Sequence, residues 1–402
     1  MDDAQFAELA AWIAEAGLAG ESETAMVTGF CTRANALGLP LGRVGVFIDT
    51  LHPIYEGRLF SWQASEGTTT LREYGSSQDG EGLERWQRSP FYRLLQSGEP
   101  LLRRRITPES QAEFPIVAEL AGMTDFVAMI NRFTAQGIVG EMDCVYSYWA
   151  TPRADGFGDA DIKDLQRLVP LLALAIKSAS LTRIASTLVE TYLGRDAGRR
   201  VLAGGIVRGI ADRIEAVLWF SDLRGYTRIT DTSAPEQVIP LLNDYADAII
   251  SAIQTKGGDV LKLIGDGTLA IFTAADREQA CLAALAAARL AARSVSELNQ
   301  RRSAEKLPTT DMYLALHFGE VFYGNIGSKD RLDFTVVGPA VNEVSRVAAL
   351  CRSVEQPLLL SATFAQAAGK ARSRLVSVGR YALRGVSLPQ ELFTLDPTQA
   401  PS

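Results

Sequence analysis

The Gly265-Asp266-Gly267 triplet separates two short apolar runs, Val260–Ile264 and Thr268–Phe272, and this spacing demands a hairpin. Around it the second half of the chain parses cleanly. Glu215–Ser221 reads as an apolar strand, and Ser233 and Glu236 stand at capping-box spacing before a helix that ends at Lys256-Gly257. A helix over Arg277 to about Arg301 follows the hairpin. Strands at Met312–His317 and Val321–Ile326, a helix over Ala340–Cys351 and a final set of strands complete the pattern.

The order β-α-β-β-α-β matches the ferredoxin-like split βαβ core, an α+β fold in which the first strand lies beside the hairpin. Asp222 ends that first strand and Asp266 sits in the hairpin, so the topology lets two carboxylates converge. Taken singly, each has a plain explanation in turn chemistry, and a type I′ turn around Asp266-Gly267 is common. Lys262 interrupts an apolar run, so either its edge is solvated or its ammonium meets a polar ligand. Thr335 reads as an ordinary β-branched strand residue. Asn342 and Arg346, four apart, share a helix face and suit a phosphoryl transition state.

The first half reads as a separate α+β domain. Residues 1–37 form two helices, and Val44, Val46 and Ile48 alternate as a strand does. Leu59–Trp62 and Val145–Trp149 are further strands, with helical stretches around Phe91–Ser97 and Ile116–Ala121. Gly156–Asp161 introduces a long helix carrying Ile162, Leu165, Val169, Leu172 and Ile176 on one stripe. The Gly- and Arg-rich run from Gly194 to Gly205 marks a boundary. The expected divisions are a first domain over 1–180, a helical linker over 181–211, a second domain over 212–396 and a tail over 397–402.

A length of 402 residues suits two domains, and a net charge of −7 offers no general attraction to nucleic acid or anionic membrane. Four dispersed cysteines and two histidines cannot form a paired zinc cluster, which points to a reduced, cytoplasmic protein. The acidic N-terminus lacks the features of a secretory signal. The most apolar run, Leu168–Ala175, is far shorter than the roughly 20 residues of a membrane span, so none is expected.

The segments Phe220–Thr227, Gly257–Gly267, His317–Gly327 and Leu332–Arg346 resemble, in order, the motifs of class III adenylate and guanylate cyclases, over roughly residues 212–396. The resemblance implies that Asp222 and Asp266, with Leu223, bind two Mg²⁺ or Mn²⁺ ions. It implies that Lys262 and Thr335 read the base, and that Asn342 and Arg346 orient the ribose and stabilise the transferring phosphate. Arg384 falls near the terminal phosphates, and Arg224 and Gly225 join the substrate-binding set. All six principal positions carry competent chemistry, which argues against a dead homologue. Lys262 can only donate and so suits N1 of adenine, whereas Thr335 can accept from N6. The expected substrate is therefore ATP, with a guanylate cyclase or a non-catalytic nucleotide-binding dimer as alternatives.

The same resemblance implies a homodimer whose sites are shared between chains, and residues 20–180 resemble a GAF-type sensor for an unidentified small-molecule or protein effector. Tyr55, Phe60, Trp62, Tyr146, Tyr148 and Trp149 are candidate lining residues for its pocket. A P-loop NTPase is excluded because no Gly-x-x-x-x-Gly-Lys-Ser/Thr is present, and Gly257-Gly258-Asp259 is not followed by the Glu-Phe of a diguanylate cyclase.

Overall fold

A computed structural model describes residues 1–384 and 389–396. The chain divides into two compact units, Met1–Leu188 and Val189–Ser402, and the division falls within the segment expected to link them.

The first unit begins with α1 (Asp3–Leu18), started by an Asp2–Gln5 capping box, and α2 (Glu23–Ala36), capped by the Ser22 hydroxyl. Strands β1 (Arg43–Asp49), β2 (Gly57–Gln63) and β3 (Thr68–Tyr74) follow, then α3 (Gly80–Gln87), α4 (Pro90–Ser97) and β4 (Leu101–Arg105). The unit closes with α5 (Pro108–Glu113), α6 (Pro115–Ala118), β5 (Asp125–Arg132), β6 (Cys144–Thr151) and the start of α7 (Asp159–Leu193). The strands form one antiparallel sheet in the order β3-β2-β1-β6-β5-β4.

Strand alternation decides which side chains meet which helices. Val44, Val46, Ile48, Phe60, Trp62, Val145 and Trp149 pack with α1, α2 and α7 in one core. Phe60, Trp62 and Trp149 are therefore core residues and are absent from the wall of the cavity on the other sheet face, a correction to the sequence reading. Tyr55 stacks on His52 and is likewise absent from the cavity wall. The opposite sheet face carries Phe47, Tyr146 and Tyr148.

Helix α7 is much longer than the apolar run Leu168–Ala175 that it contains. The eight-residue run is embedded in a 35-residue helix that is long and apolar enough, by length and composition, to cross a membrane. Leu165, Leu168, Val169, Leu172 and Ile176 on that helix are buried in the core of the first unit.

The second unit contains α8 (Arg195–Leu202), β7 (Ala211–Leu223), α9 (Tyr226–Thr232), α10 (Pro235–Thr255), β8 (Asp259–Ile264), β9 (Gly267–Phe272) and α11 (Arg277–Ala304). It continues through β10 (Met312–Gly327), β11 (Leu332–Val337), α12 (Pro339–Val354), β12 (Leu358–Ser361), α13 (Ala362–Ala367), β13 (Leu375–Tyr381) and β14 (Gln390–Leu395). The sheet runs β13-β14-β12-β10-β7-β9-β8, with β11 paired to β10. Strands β10, β7, β9 and β8, adjacent in that order, have the split βαβ arrangement expected from the sequence, β7 lying between β10 and β9. Val217 and Trp219 pack toward α10 and α11 on one face, and Ala216 and Leu218 pack with α12 on the other.

Three local expectations change. The N-cap of α10 is Ala234 with Pro235 at N1, and Ser233 instead caps the C-terminus of α9, because the proline fixes the first helical turn. The two strands expected over 312–326 are one strand, since Gly319 continues the ladder with β7. In the hairpin, Ile264 pairs with Gly267, leaving Gly265-Asp266 as the central pair with Gly265 at φ +63°. Glycine at the first central position is the type II′ choice, so Asp266 is freed from the positive-φ role that a type I′ turn imposes.

Candidate active site

Asp222 stands at the end of β7, and the β8–β9 hairpin folds back beside it because β9 pairs with β7 through Ser221↔Thr268. Asp266 Oδ2 accepts a hydrogen bond from the Leu223 amide at 3.1 Å, which ties the hairpin tip to the strand end. Gly267 permits this closeness: a Cβ there would lie 2.9 Å from the Ser221 carbonyl oxygen. Leu223 itself is buried and contributes backbone.

The Asp222 carboxyl is pushed up to about 6, first by burial and then by the charge of Asp266. Its Oδ1 is buried and has no hydrogen-bond partner among the described residues. An orphaned carboxylate oxygen beside a second carboxylate fits a hard divalent cation, which takes oxygen ligands and would reverse the unfavourable charge balance. Asp222, Asp266 and the Leu223 backbone would hold it. Among the described residues no group of three or more His, Cys, Asp or Glu is arranged as a metal cage, so further ligands must come from water or a bound phosphate.

Lys262 lies on β8, the edge strand of the sheet, whose last three residues are exposed. The solvated edge is thus the outcome for this lysine, and its Nζ forms an ion pair with Asp333. The sequence reading missed Asp333. Strand alternation from Thr335 would have found it, since both residues lie on the β11 face opposite the buried Phe334 and Val336.

Asn342 and Arg346 lie on α12, four residues apart on one face. Helix α12 runs along β10 and β7. Its start is fixed at Gly319, where an added Cβ would meet Ala340 Cβ at 2.7 Å, and Gly319 pairs with Ala216. Its far end is fixed by Cys351, whose Sγ donates to the Leu314 carbonyl at 3.5 Å, and Leu314 pairs with Ser221 beside Asp222. The carboxylates therefore adjoin the C-terminal end of α12, and Asn342 lies near the other end, about 14 Å of helical rise from Cys351. One chain does not bring Asn342 to the carboxylates.

Arg224 is exposed, with its guanidinium 5.8 Å from the Tyr313 ring centroid, and Gly225 takes a left-handed conformation at the N-cap of α9. Arg384 is an exposed turn residue, and the following Gly385 of its motif lies outside the described residues.

Residues 211–396 match the family model described as the adenylate and guanylate cyclase catalytic domain. An uncharacterized protein of Mycobacterium tuberculosis is 33% identical over 213 residues, which is 51% of this chain and 36% of that protein. A protein of Anabaena cylindrica named adenylate cyclase is 33% identical over 157 residues, 38% of this chain and 30% of its own length. This chain thus spans about a third of the length of the curated relatives it matches. Among solved structures, a guanylyl cyclase is 29% identical, with 46% of this chain and 93% of that one covered, at a TM-score of 0.41. The adenylyl cyclase of P. aeruginosa is 22% identical, covering 46% of this chain and 95% of that one, at a TM-score of 0.43.

Proposed function

We propose that the protein is an adenylate cyclase that converts ATP to 3′,5′-cyclic AMP and pyrophosphate, since residues 211–396 match the model of the adenylate and guanylate cyclase catalytic domain. The observation that carries the reading is the Asp222–Asp266 pair, with its unpartnered buried oxygen, held at a strand end by the Leu223 amide.

In the reaction the ribose 3′-hydroxyl attacks the α-phosphorus in line, forming a new P–O bond while the bond to the departing pyrophosphate breaks. Two divalent cations at the carboxylate pair supply charge neutralisation and lower the pKa of the attacking hydroxyl when bound. Asn342 positions the ribose, and the Arg346 guanidinium meets the charge that grows on the transferring phosphate. In this reading Arg384, Arg224 and the Gly225 backbone serve the remaining phosphates. Lys262 donates to N1 of adenine and Thr335 accepts from N6. The Anabaena relative, which bears the name adenylate cyclase, supports ATP as the substrate.

The active form is a homodimer with two shared sites, each pairing the carboxylates of one chain with Asn342 and Arg346 of the other. The separation of Asn342 from the carboxylates along α12 supports this, as does the apolar surface left at Leu263, Ile264, Phe322 and Val337.

The first unit is read as a GAF-type sensor that adjusts the cyclase rate. Its sheet holds a cavity of about 750 Å³ walled by Phe47, Tyr74, Trp86, Tyr146 and Tyr148. Asp49 lies in that wall, accepts from Tyr74 Oη at 2.8 Å and is pushed up to about 7 by burial, so it can present a polar anchor to an effector.

The deciding assay supplies purified protein with ATP and Mn²⁺ and measures cyclic AMP and pyrophosphate together, with GTP in parallel. Stoichiometric products from ATP, and a higher kcat/KM for ATP than for GTP, are expected. Neither product at saturating metal, or a preference for GTP, would sink the reading.

A further inference from the structure

Thr335 poses a problem for a site that must tell adenine from guanine. A hydroxyl donates as readily as it accepts, so it satisfies the adenine N6 amine and the guanine O6 carbonyl alike. Lys262 supplies one-way polarity at N1, but on a half-exposed edge strand a four-carbon stem does not hold its ammonium in one place.

Asp333 removes both deficits. It lies two residues before Thr335 on the same face of β11, with Phe334 and Val336 buried on the other. The pairing of β11 with β10 fixes its position through Ile326↔Asp333 and Gly324↔Thr335. Strand β11 approaches β8, and the Asp333 carboxylate meets the Lys262 ammonium. An ionised carboxylate only accepts, and it has lone pairs left after meeting one ammonium.

Resting on the adenylate cyclase reading, we propose that Asp333 is a specificity-determining residue of the base pocket, holding Lys262 toward N1 of adenine and accepting a hydrogen bond from the exocyclic N6 amine. Adenine presents a donor at C6 and an acceptor at N1, in that order along the edge. With Asp333 and Thr335 of β11 toward C6 and Lys262 of β8 toward N1, both positions match. Guanine in the same pose sets its O6 against the carboxylate and its N1–H against the ammonium, two repulsive contacts of the kind that specific sites use to reject a near-isostere.

The test replaces Asp333 with Asn, which keeps the shape and lets the amide turn either its oxygen or its NH₂ toward the base. Thermal unfolding of each variant verifies folding. Steady-state kcat/KM is measured for ATP, GTP and purine riboside 5′-triphosphate, which keeps N1 and lacks the C6 amine. Binding is measured in parallel with α,β-methylene analogues of the same three nucleotides, which cannot release pyrophosphate. In D333N the ATP-to-GTP ratio falls by about tenfold or more, the scale of one hydrogen bond to a charged group. Purine riboside triphosphate, which senses only the freed Lys262, loses less than ATP does.

An unchanged ATP-to-GTP ratio in both binding and turnover overturns the inference. Equal losses for ATP and the amine-free analogue also overturn it, since they leave Asp333 acting only through Lys262 and making no contact with the N6 amine. A wild-type protein that binds the analogues with Asp333-dependent selectivity but cyclises nothing refutes the enzymatic reading and leaves this one standing.

Discussion

Replacing Asp222 with Asn should stabilise the metal-free protein while removing its activity. The carboxyl sits at about 6 in the folded chain against 3.8 for the ordinary group, because burial and then the Asp266 charge penalise the ionised form. At 1.36 kcal/mol per pKa unit the ceiling is roughly 3 kcal/mol. Partial solvent access to the pair reduces the expected gain to about 1–2 kcal/mol. For an acid whose folded pKa is raised, the penalty is absent below about pH 4, develops between about pH 4 and 6, and is complete above pH 6. Asn carries no charge and escapes it.

The assay is thermal unfolding of the full chain in chelator, following the transition of the second unit at pH 5 and pH 8. The variant should unfold about 3–6 °C higher at pH 8, with a smaller offset at pH 5. Saturating Mg²⁺ should then invert the order, since the wild type gains binding free energy that the variant cannot match. Cyclisation should be lost in either case. A variant less stable than wild type at pH 8 in chelator, or an offset equal at both pH values, would refute this account of the carboxylate pair.

Burial lowers His317 to about 4, although the Glu343 carboxylate lies 3.8 Å from its Nδ1, because at that distance desolvation outweighs the attraction. A histidine held neutral contributes stability above its ordinary 6.5 and loses it as pH falls from 6.5 toward 4, so H317Q should flatten the acid limb of the second unit's stability curve between those values; a limb of unchanged slope contradicts the assignment. An equal mixture of D222A and R346A chains should recover about a quarter of wild-type activity, since half the dimers are mixed and each mixed dimer has one intact site. Recovery no greater than either variant alone would count against shared sites. In the first unit, a Cβ on Gly45 would lie 2.2 Å from the Tyr148 ring, so G45A should lower the unfolding transition of that unit by about 1–3 kcal/mol and leave the second transition in place; no change would mean that Tyr148 repacks freely.

Much of the catalytic half was legible in the sequence because its signals are local. Hydrophobic period, a helix-ending glycine and a glycine-flanked aspartate fix elements and their order, and the order fixes which strand borders the hairpin. Boundaries were less legible where a tertiary partner overrides local punctuation. Gly319 looked like a break between strands, yet pairing with β7 carries the strand through it. The first half was read only in part, since β3 is largely exposed and hydrophobic alternation is faint there.

The sequence by itself determined that Asp222 and Asp266 lie at neighbouring strand ends and that Lys262, Thr335, Asn342 and Arg346 supply competent groups, because residue type and spacing follow from the chain alone. Only the tertiary structure decided three further matters. It showed that Lys262 occupies a solvated edge and is partnered by Asp333, residues brought together from distant positions by β8 and β11. It put Phe60, Trp62 and Trp149 in the core and Tyr146 and Tyr148 at the cavity, because the face a strand presents depends on which helices cover it. It also set Asn342 and the carboxylates at opposite ends of α12, since the packing of Ala340 on Gly319 and of Cys351 on Leu314 fixes how that helix lies along the sheet.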